Sequence, residues 1–311
     1  MTKKIALLFS GQGAQTVGMG KDLAAAYPVV ADLFKQADDI LGRSLSGIVW
    51  EGPDEELTKT GNCQPALYVH GLACLAALRQ EIGDFPIAAA AGLSLGEFTA
   101  HAAAGTFDFA TGLRIVEARG KLMQEACEAT TGAMAAMIGG EENAVRDLAA
   151  EADVDVANLN SPGQIVLSGE AAKIALAVGL AKEHGIRRAT VLNVAGAYHS
   201  RLMESAYLKL GEILQATKFN APKFPVICNV DALPVSEEQK IRETLQQQVT
   251  GTVRWIESIE YLADHEKIEQ YIELGPGGVL AGLVGRTRKG SAVISIADVE
   301  SLRGAAMTKL E

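Results

Sequence analysis

Sulfur and positive charge are both scarce in this chain of 311 residues. Its four cysteines, Cys63, Cys74, Cys127 and Cys228, lie far apart and form no C-x-x-C pair. That spacing argues against a structural zinc and a disulfide framework, and for a reducing, cytoplasmic setting. Lysine and arginine total 28 against 38 aspartates and glutamates, and the net charge of −10 argues against a general nucleic-acid binder. No unbroken apolar run reaches the roughly 20 residues that span a bilayer, so no membrane segment is expected. Met1-Thr2-Lys3-Lys4 and the apolar Ile5–Phe9 resemble a signal peptide only briefly, because a Gly-Gln-Gly turn follows in place of a cleavage site. Repeats and low-complexity segments are missing as well.

What remains is a globular composition, 48% hydrophobic and 21% charged, long enough for one large domain or two smaller ones. The most informative stretch is Gly92-Leu93-Ser94-Leu95-Gly96. An apolar segment over 87–91 precedes it and reads as a buried strand. A helix over 97–104, opened by Glu97, follows. Strand, tight turn and helix together make G-x-S-x-G a nucleophile elbow, with glycines where the helix passes close under the strand. Ser94 would then stand exposed at a helix N-terminus, where developing negative charge is stabilised. A plain strand-to-helix turn that happens to carry serine is the alternative.

Ile5–Phe9 is apolar on both faces, as suits a strand covered on each side. The loop Ser10-Gly11-Gln12-Gly13-Ala14-Gln15-Thr16 lacks the third glycine of a dinucleotide fingerprint, and Gly20-Lys21-Asp22 does not complete a P-loop. It reads either as backbone N–H groups offered to an anion or as a simple connector. Helical pattern runs from Met19 to Arg79, broken at Pro28, Gly42, Gly52-Pro53 and Gly61, with Pro65 expected in the first turn of the helix through Tyr68, Leu72 and Leu75. A helix over 109–125 carries Arg119. Next come a strand (Gly132–Ile138), a helix (141–151), strands over 154–159 and 164–168, a helix (171–184) and a strand (188–194). That β-α-β-β-α-β order is the ferredoxin-like unit. It predicts a small α+β domain, 128–197, inserted into a larger α/β-hydrolase-like domain, 1–127 with 198–311, whose core is a parallel sheet. Strands over 226–230, Gln270–Leu274 and 293–296 resume that sheet, with a helix through Val279 and Leu283 between the last two.

A serine hydroxyl needs a base. Of five histidines, His101 lies on the elbow's own helix and points away, while His70, His184 and His265 sit in helical segments with a structural or solvent-facing look. His199 falls at the seam where the inserted unit ends and can face the cleft, as base or as a structural histidine.

The ordered set Phe9-Ser10-Gly11-Gln12-Gly13, Gln64-Pro65-Ala66, Gly92-Leu93-Ser94-Leu95-Gly96-Glu97, Arg119-Gly120-Lys121-Leu122-Met123-Gln124, Asn160-Ser161-Pro162-Gly163-Gln164, Tyr198-His199-Ser200, Asn229-Val230-Asp231-Ala232, Gln248 ahead of Val253-Arg254-Trp255, and Glu273-Leu274-Gly275-Pro276-Gly277 resembles the malonyl-CoA:acyl carrier protein transacylase family over nearly the whole chain. The resemblance implies Ser94 as acyl-carrying nucleophile and His199 as its general base, oriented by the backbone carbonyl of Gln248. It implies an oxyanion hole from the N–H groups of Gln12 and Leu95, each such donor worth ~10²–10³ in rate, and Arg119 as the bidentate partner of the malonyl carboxylate. It further implies no bound cofactor or metal, malonyl-CoA as substrate, an acyl carrier protein as acceptor, and a monomer. Two positions depart from the pattern. Leu93 replaces the usual histidine before the serine, and Tyr198 replaces a phenylalanine, bringing a hydroxyl that needs a partner if buried.

Two other readings compete. A serine hydrolase or thioesterase on the same elbow would place a carboxylate behind the histidine, and Asp153, Asp155 and Glu183 lie between Ser94 and His199 in the chain. A non-catalytic protein that docks a carrier is the other. Docking of an acidic carrier on a chain of net charge −10 would need local positive charge, for which Arg187-Arg188 with Arg201, and Arg286, Arg288 and Lys289, are the candidate clusters.

Overall fold

The computed structural model describes residues 3–307, so Met1-Thr2 of the charged opening segment lies outside the described residues. Ten strands occur among them: β1 (Ile5–Phe9), β2 (Ala89–Gly92), β3 (Gly132–Ile138), β4 (Asp155–Ser161), β5 (Gln164–Glu170), β6 (Arg188–Val191), β7 (Val226–Ile227), β8 (Pro234–Val235), β9 (Gln270–Leu274) and β10 (Ala292–Ile296). They form two sheets, one of order β10-β9-β1-β2-β7-β8 and one of order β4-β5-β3-β6.

The six-stranded sheet is parallel apart from the short antiparallel edge strand β8. Side chains alternate across a strand, and β1 uses both faces: Ile5, Leu7 and Phe9 enter one apolar core, Ala6 and Leu8 the other. That double burial is why its sequence is unbroken apolar rather than alternating. Phe9 is in register with both Gly92 and Leu274, so the loops after β1, β2 and β9 leave the sheet side by side. Ligands of open parallel sheets bind at this carboxyl edge.

The four-stranded sheet is antiparallel throughout. Helices Glu142–Glu151 and Ala171–Leu180 bury Val145, Leu148, Ile174 and Ala177 with Ala135, Met137, Ile165 and Leu167 in a core of their own. The strand order and the two helices are those of the expected ferredoxin-like unit. The small sheet is held to the segment that leads into the helix Trp255–Asp264, where Asn158 of β4 bridges Val253, with Val253 N–H donating to Ala157 O (2.8 Å) and Leu159 N–H to Val253 O (2.9 Å).

Several boundaries differ from those expected. Pro65 lies inside the helix Thr60–Ile82, not in its first turn. Proline deprives the carbonyl four residues back of its donor, and Arg43 Nη2 supplies one to Gly61 O at 3.0 Å. The strand expected over 226–230 ends at Ile227, because Cys228 accepts from Ala232 N–H and donates to Leu233 O in a tight turn. The helix expected over 171–184 stops at Leu180, and the strand over 188–194 at Val191. Helices Glu204–Ala216, Glu238–Gln247, Trp255–Asp264 and Val299–Met307 were not anticipated. All four cysteines are free and buried. No helix among the described residues is long and apolar enough to cross a membrane.

Candidate active site

Ser94 caps the helix Leu95–Ala103 with φ 54° and ψ −108°. A side chain in this region is strained by roughly 1–3 kcal/mol and persists only where the surroundings hold it. Two close approaches do so. A Cβ on Gly92 would stand 1.9 Å from the carbonyl carbon of Gly96, and one on Gly96 would stand 2.1 Å from Phe9 O. The elbow glycines are thus required by contact, the helix lying against the ends of β1 and β2.

Ser94 Oγ lies 2.8 Å from His199 Nε2, and His199 Nδ1 lies 2.7 Å from the backbone oxygen of Gln248. A carbonyl only accepts, so Nδ1 carries the ring proton and Nε2 is left to accept from the Ser94 hydroxyl. Burial first, and then the positive charge of Arg119, hold the imidazole well down, to about 4. It is therefore neutral at neutral pH. His199 also has φ 55°, which turns its ring out of the chain toward Ser94.

Arg119, on the helix Phe109–Glu128, is 1% exposed. Its Nη1 donates to Gln64 Oε1 at 2.7 Å, and its Nη2 to Gln248 Oε1 at 2.8 Å and Ser94 Oγ at 3.1 Å. Its guanidinium carbon lies 5.2 Å from the centre of the Phe98 ring. Burial pulls it down to about 10, so it stays charged. Among the described residues no carboxylate forms an ion pair with it and its hydrogen-bond partners are neutral oxygens, the Glu97 carboxyl acting on it only from a distance, against the effect of burial.

Gln248 ties the parts together. Its backbone oxygen meets His199, its Oε1 meets Arg119, and its Nε2 donates to Ser94 O (2.9 Å) and Glu97 Oε2 (2.6 Å). The backbone N–H groups of Gln12 and Leu95 find no acceptor among the described residues. Gln12 reaches the site through its side chain, Nε2 donating to the Tyr198 hydroxyl at 3.4 Å. That hydroxyl also shares a 2.6 Å bond with Thr60 Oγ1, which supplies the partner its burial demands. Leu93, in the position before the nucleophile, is half-buried and packs on the apolar core beneath the sheet.

The structure thus links Ser94, His199, Gln248 and Arg119 through direct bonds, with Leu95 following Ser94 and Gln12 bonded to the residue before His199. Two further residues join them. Asn229 Oδ1 accepts from Ser94 N–H at 2.7 Å while its Nδ2 donates to Gly92 O at 2.8 Å. Glu97 Oε2 accepts from Asn229 N–H at 3.0 Å. Both stand in stretches that carried the family resemblance, which was the only signal of them. Of the carboxylates that could have oriented the histidine, Asp153 and Asp155 are bound by Arg201, and the partner of Nδ1 is a carbonyl. His101 bonds Thr106, His70 meets Ala297 O, and His184 pairs with Glu151. In the basic clusters Arg201 pairs with Asp153 and Asp155, Arg288 pairs with Asp264, and Arg286 bonds the neutral Ser161 and Gln164, while Arg187, Arg188 and Lys289 form no ion pair among the described residues. No group of three or more histidine, cysteine or acidic side chains suited to a metal occurs among the described residues.

The sequence model of a family described as an acyl transferase domain matches residues 6–302. The chain is 42% identical to a malonyl CoA-acyl carrier protein transacylase of Bacillus subtilis (strain 168), over 99% of this chain and 98% of that one. It is 41% identical to the polyketide biosynthesis malonyl CoA-acyl carrier protein transacylase PksC of the same organism, over 92% and 97%. Among solved structures it resembles a malonyl-transacylase in complex with its type II PKS acyl-carrier protein, with a TM-score of 0.94 and 39% identity over 98% of this chain and 100% of that one. The chain belongs to the acyl transferase family, among its malonyl CoA-acyl carrier protein transacylases.

Proposed function

We propose that this chain transfers the malonyl group from malonyl-CoA to the phosphopantetheine thiol of an acyl carrier protein, supplying extender units for fatty-acid or polyketide synthesis. In the first half, Ser94 Oγ attacks the thioester carbonyl as its proton passes to His199 Nε2. The oxyanion is held by the N–H groups of Gln12 and Leu95. Collapse breaks the carbon–sulfur bond, CoA leaves with the proton from His199, and the malonyl group stays as an ester on Ser94. In the second half the carrier's thiol gives its proton to His199 and attacks that ester, and Ser94 recovers the proton. Gln248 O keeps the imidazole in the required tautomer through both halves. No cofactor takes part in these steps.

One observation carries the choice of substrate: a buried arginine, faced by neutral oxygens alone, stands 3.1 Å from the nucleophile. A buried charge without a counter-charge is costly. A malonyl carboxylate supplies that counter-charge, taking the places of Gln64 Oε1 and Gln248 Oε1 in a two-point pair that lysine could not reproduce. Full-length similarity to named transacylases supports the same reading. The site draws every group from one chain, which fits a monomer, and four free cysteines fit a reducing cytoplasm. The domain division, 1–127 with 198–311 against 128–197, belongs to this proposal, with Ser94 and Arg119 on one side and His199 just past the seam.

The test is intact-protein mass after exposure to malonyl-CoA. The wild type should gain one malonyl group that survives denaturation and is lost on adding carrier thiol, and Ser94→Ala should gain none. A malonyl mass on the alanine variant would remove Ser94 as nucleophile. Release of free malonate faster than transfer to the carrier would favour a hydrolase instead.

A further inference from the structure

Glu97 is wholly buried in the first turn of the helix that begins at the elbow. The reaction steps above do not use it. Its carboxyl has one oxygen, Oε1, with no hydrogen-bond partner and one, Oε2, with two donors. Those donors are Asn229 N–H and Gln248 Nε2, from segments 132 and 151 residues away along the chain. Each leads directly to the nucleophile. Asn229 Oδ1 accepts from the Ser94 N–H, which helps hold the strained elbow backbone, and Gln248 Nε2 also donates to Ser94 O. Gln248 further presents its backbone oxygen to His199 and its Oε1 to Arg119.

An amide side chain has two nearly identical ends. The donor-only guanidinium takes the Gln248 oxygen, and Ser94 O and Glu97 Oε2 take its nitrogen, Glu97 Oε2 being the closer of the two acceptors. With that acceptor gone, Nε2 keeps only Ser94 O, and the segment around Gln248 loses its shorter bond to the elbow helix and its link, through Glu97, to Asn229. From this geometry we infer that Glu97 is a positioning residue for acyl transfer: one carboxyl oxygen sets Asn229 and Gln248 together, and through them fixes Ser94, His199 and Arg119 relative to one another. The inference rests on the proposed function for the identity of the acyl group, though not for the arrangement of the nucleophile.

Burial lifts the Glu97 carboxyl to about 8, against the opposing pull of Gln248, Asn229 and Arg119. Its neutral form is then well populated near pH 7. The proton has a place on Oε1, which leaves Oε2 free to accept both N–H bonds. Glutamine copies that neutral form, with its oxygen in the Oε2 position. Glu97→Gln should therefore keep the arrangement, whereas Glu97→Ala leaves two buried donors unpaired. Glu97→Asp, one methylene shorter, withdraws the acceptor without opening a large cavity.

The experiment uses the full chain and two readouts. One is the rate at which a fluorophosphonate probe labels Ser94, which reports nucleophile activation whatever the natural acyl group. The other is kcat and KM for acylation by malonyl-CoA. Thermal melts select the variants that remain folded. Misplacement of reacting groups by about 1 Å costs on the order of a hundredfold, so Glu97→Asp and Glu97→Ala should lose about that factor in labelling rate and in kcat, with KM little changed. Glu97→Gln should recover to within about tenfold of wild type by the same scale. A folded Glu97→Asp or Glu97→Ala protein that labels as fast as wild type would overturn the inference, as would a Glu97→Gln protein no better than either. If the wild type labels with the probe yet takes no malonyl group, the proposed substrate is wrong, and the labelling rates still decide the role of Glu97.

Discussion

Arg119 in the cleft and Arg201 beside the small sheet carry the same guanidinium into contrary surroundings. Arg119 is 1% exposed and faces oxygens of Gln64, Gln248 and Ser94. The Arg201 side chain is 57% exposed and is clamped by Asp155 and Asp153 at 2.7 and 2.8 Å. Burial pulls Arg119 down, while the two carboxylates hold Arg201 up. At the surface the protein has cancelled a charge that water would have screened anyway. In the interior, where a charge is most costly, it has kept an arginine that no carboxylate meets in a hydrogen bond. The unbalanced arginine thus marks where a charged substrate group belongs, and the balanced one belongs to the scaffold.

The sharpest way to break that contrast is Arg119→Ala. Loss of one partner of a desolvated pair costs roughly 3–5 kcal/mol, so kcat/KM for malonyl-CoA should fall by about two to four orders of magnitude. Acetyl transfer, which brings no carboxylate, should fall far less or improve, and Arg119→Lys should lie between. An equal fall for both substrates would make Arg119 structural.

A smaller effect concerns pH. His199 must be neutral to accept the Ser94 proton. With its imidazole held down to about 4, kcat/KM for acetyl-CoA should stay level until the pH falls toward that value, well below the ordinary histidine range. Arg119 is the second cause of this depression, after burial. Arg119→Met should therefore move the acid limb upward, and an unmoved limb would mean that burial alone sets it.

The smallest effects belong to the surface. Arg201→Gln should change stability by no more than about 1 kcal/mol in a chemical denaturation curve, and should leave malonyl-CoA acylation as it was. Because its charge is already paired, reversing Arg201 should disturb an acidic carrier less than reversing the exposed Arg187, for which no ion pair occurs among the described residues. The measurement is the carrier KM at low and high salt. A larger rise for the Arg201 variant would mean that the paired arginine still attracts the carrier.

The elbow was readable because its signal is local: a five-residue apolar strand, two glycines and a helix leave few arrangements. The ferredoxin-like unit was readable from the order of its elements. Arg201 was not, since Asp153 and Asp155 reach it from 48 and 46 residues away. Pro65 misled for the same reason, the carbonyl of Gly61 that it orphans being satisfied by Arg43 from the bend between two other helices. Asn229 and Glu97 stood in recognisable stretches, yet an asparagine in a turn and a glutamate in a helix's first turn are both ordinary there. Only the fold shows that the two meet beneath Ser94. The helices Glu204–Ala216, Glu238–Gln247, Trp255–Asp264 and Val299–Met307 were missed, although each buries an apolar face.

The loops after β1 and β2 emerge together, but the partners of Ser94 come from much later in the chain, His199 at 105 residues' separation and Gln248 at 154. Contacts so distant are late to form, since closing long loops is entropically costly. A growing or half-folded chain therefore carries a serine but no nucleophile. Until the segment around Gln248 has docked, His199 Nδ1 lacks the carbonyl that fixes the imidazole tautomer. The serine thus becomes a nucleophile only when segments more than a hundred residues apart in the chain have come together.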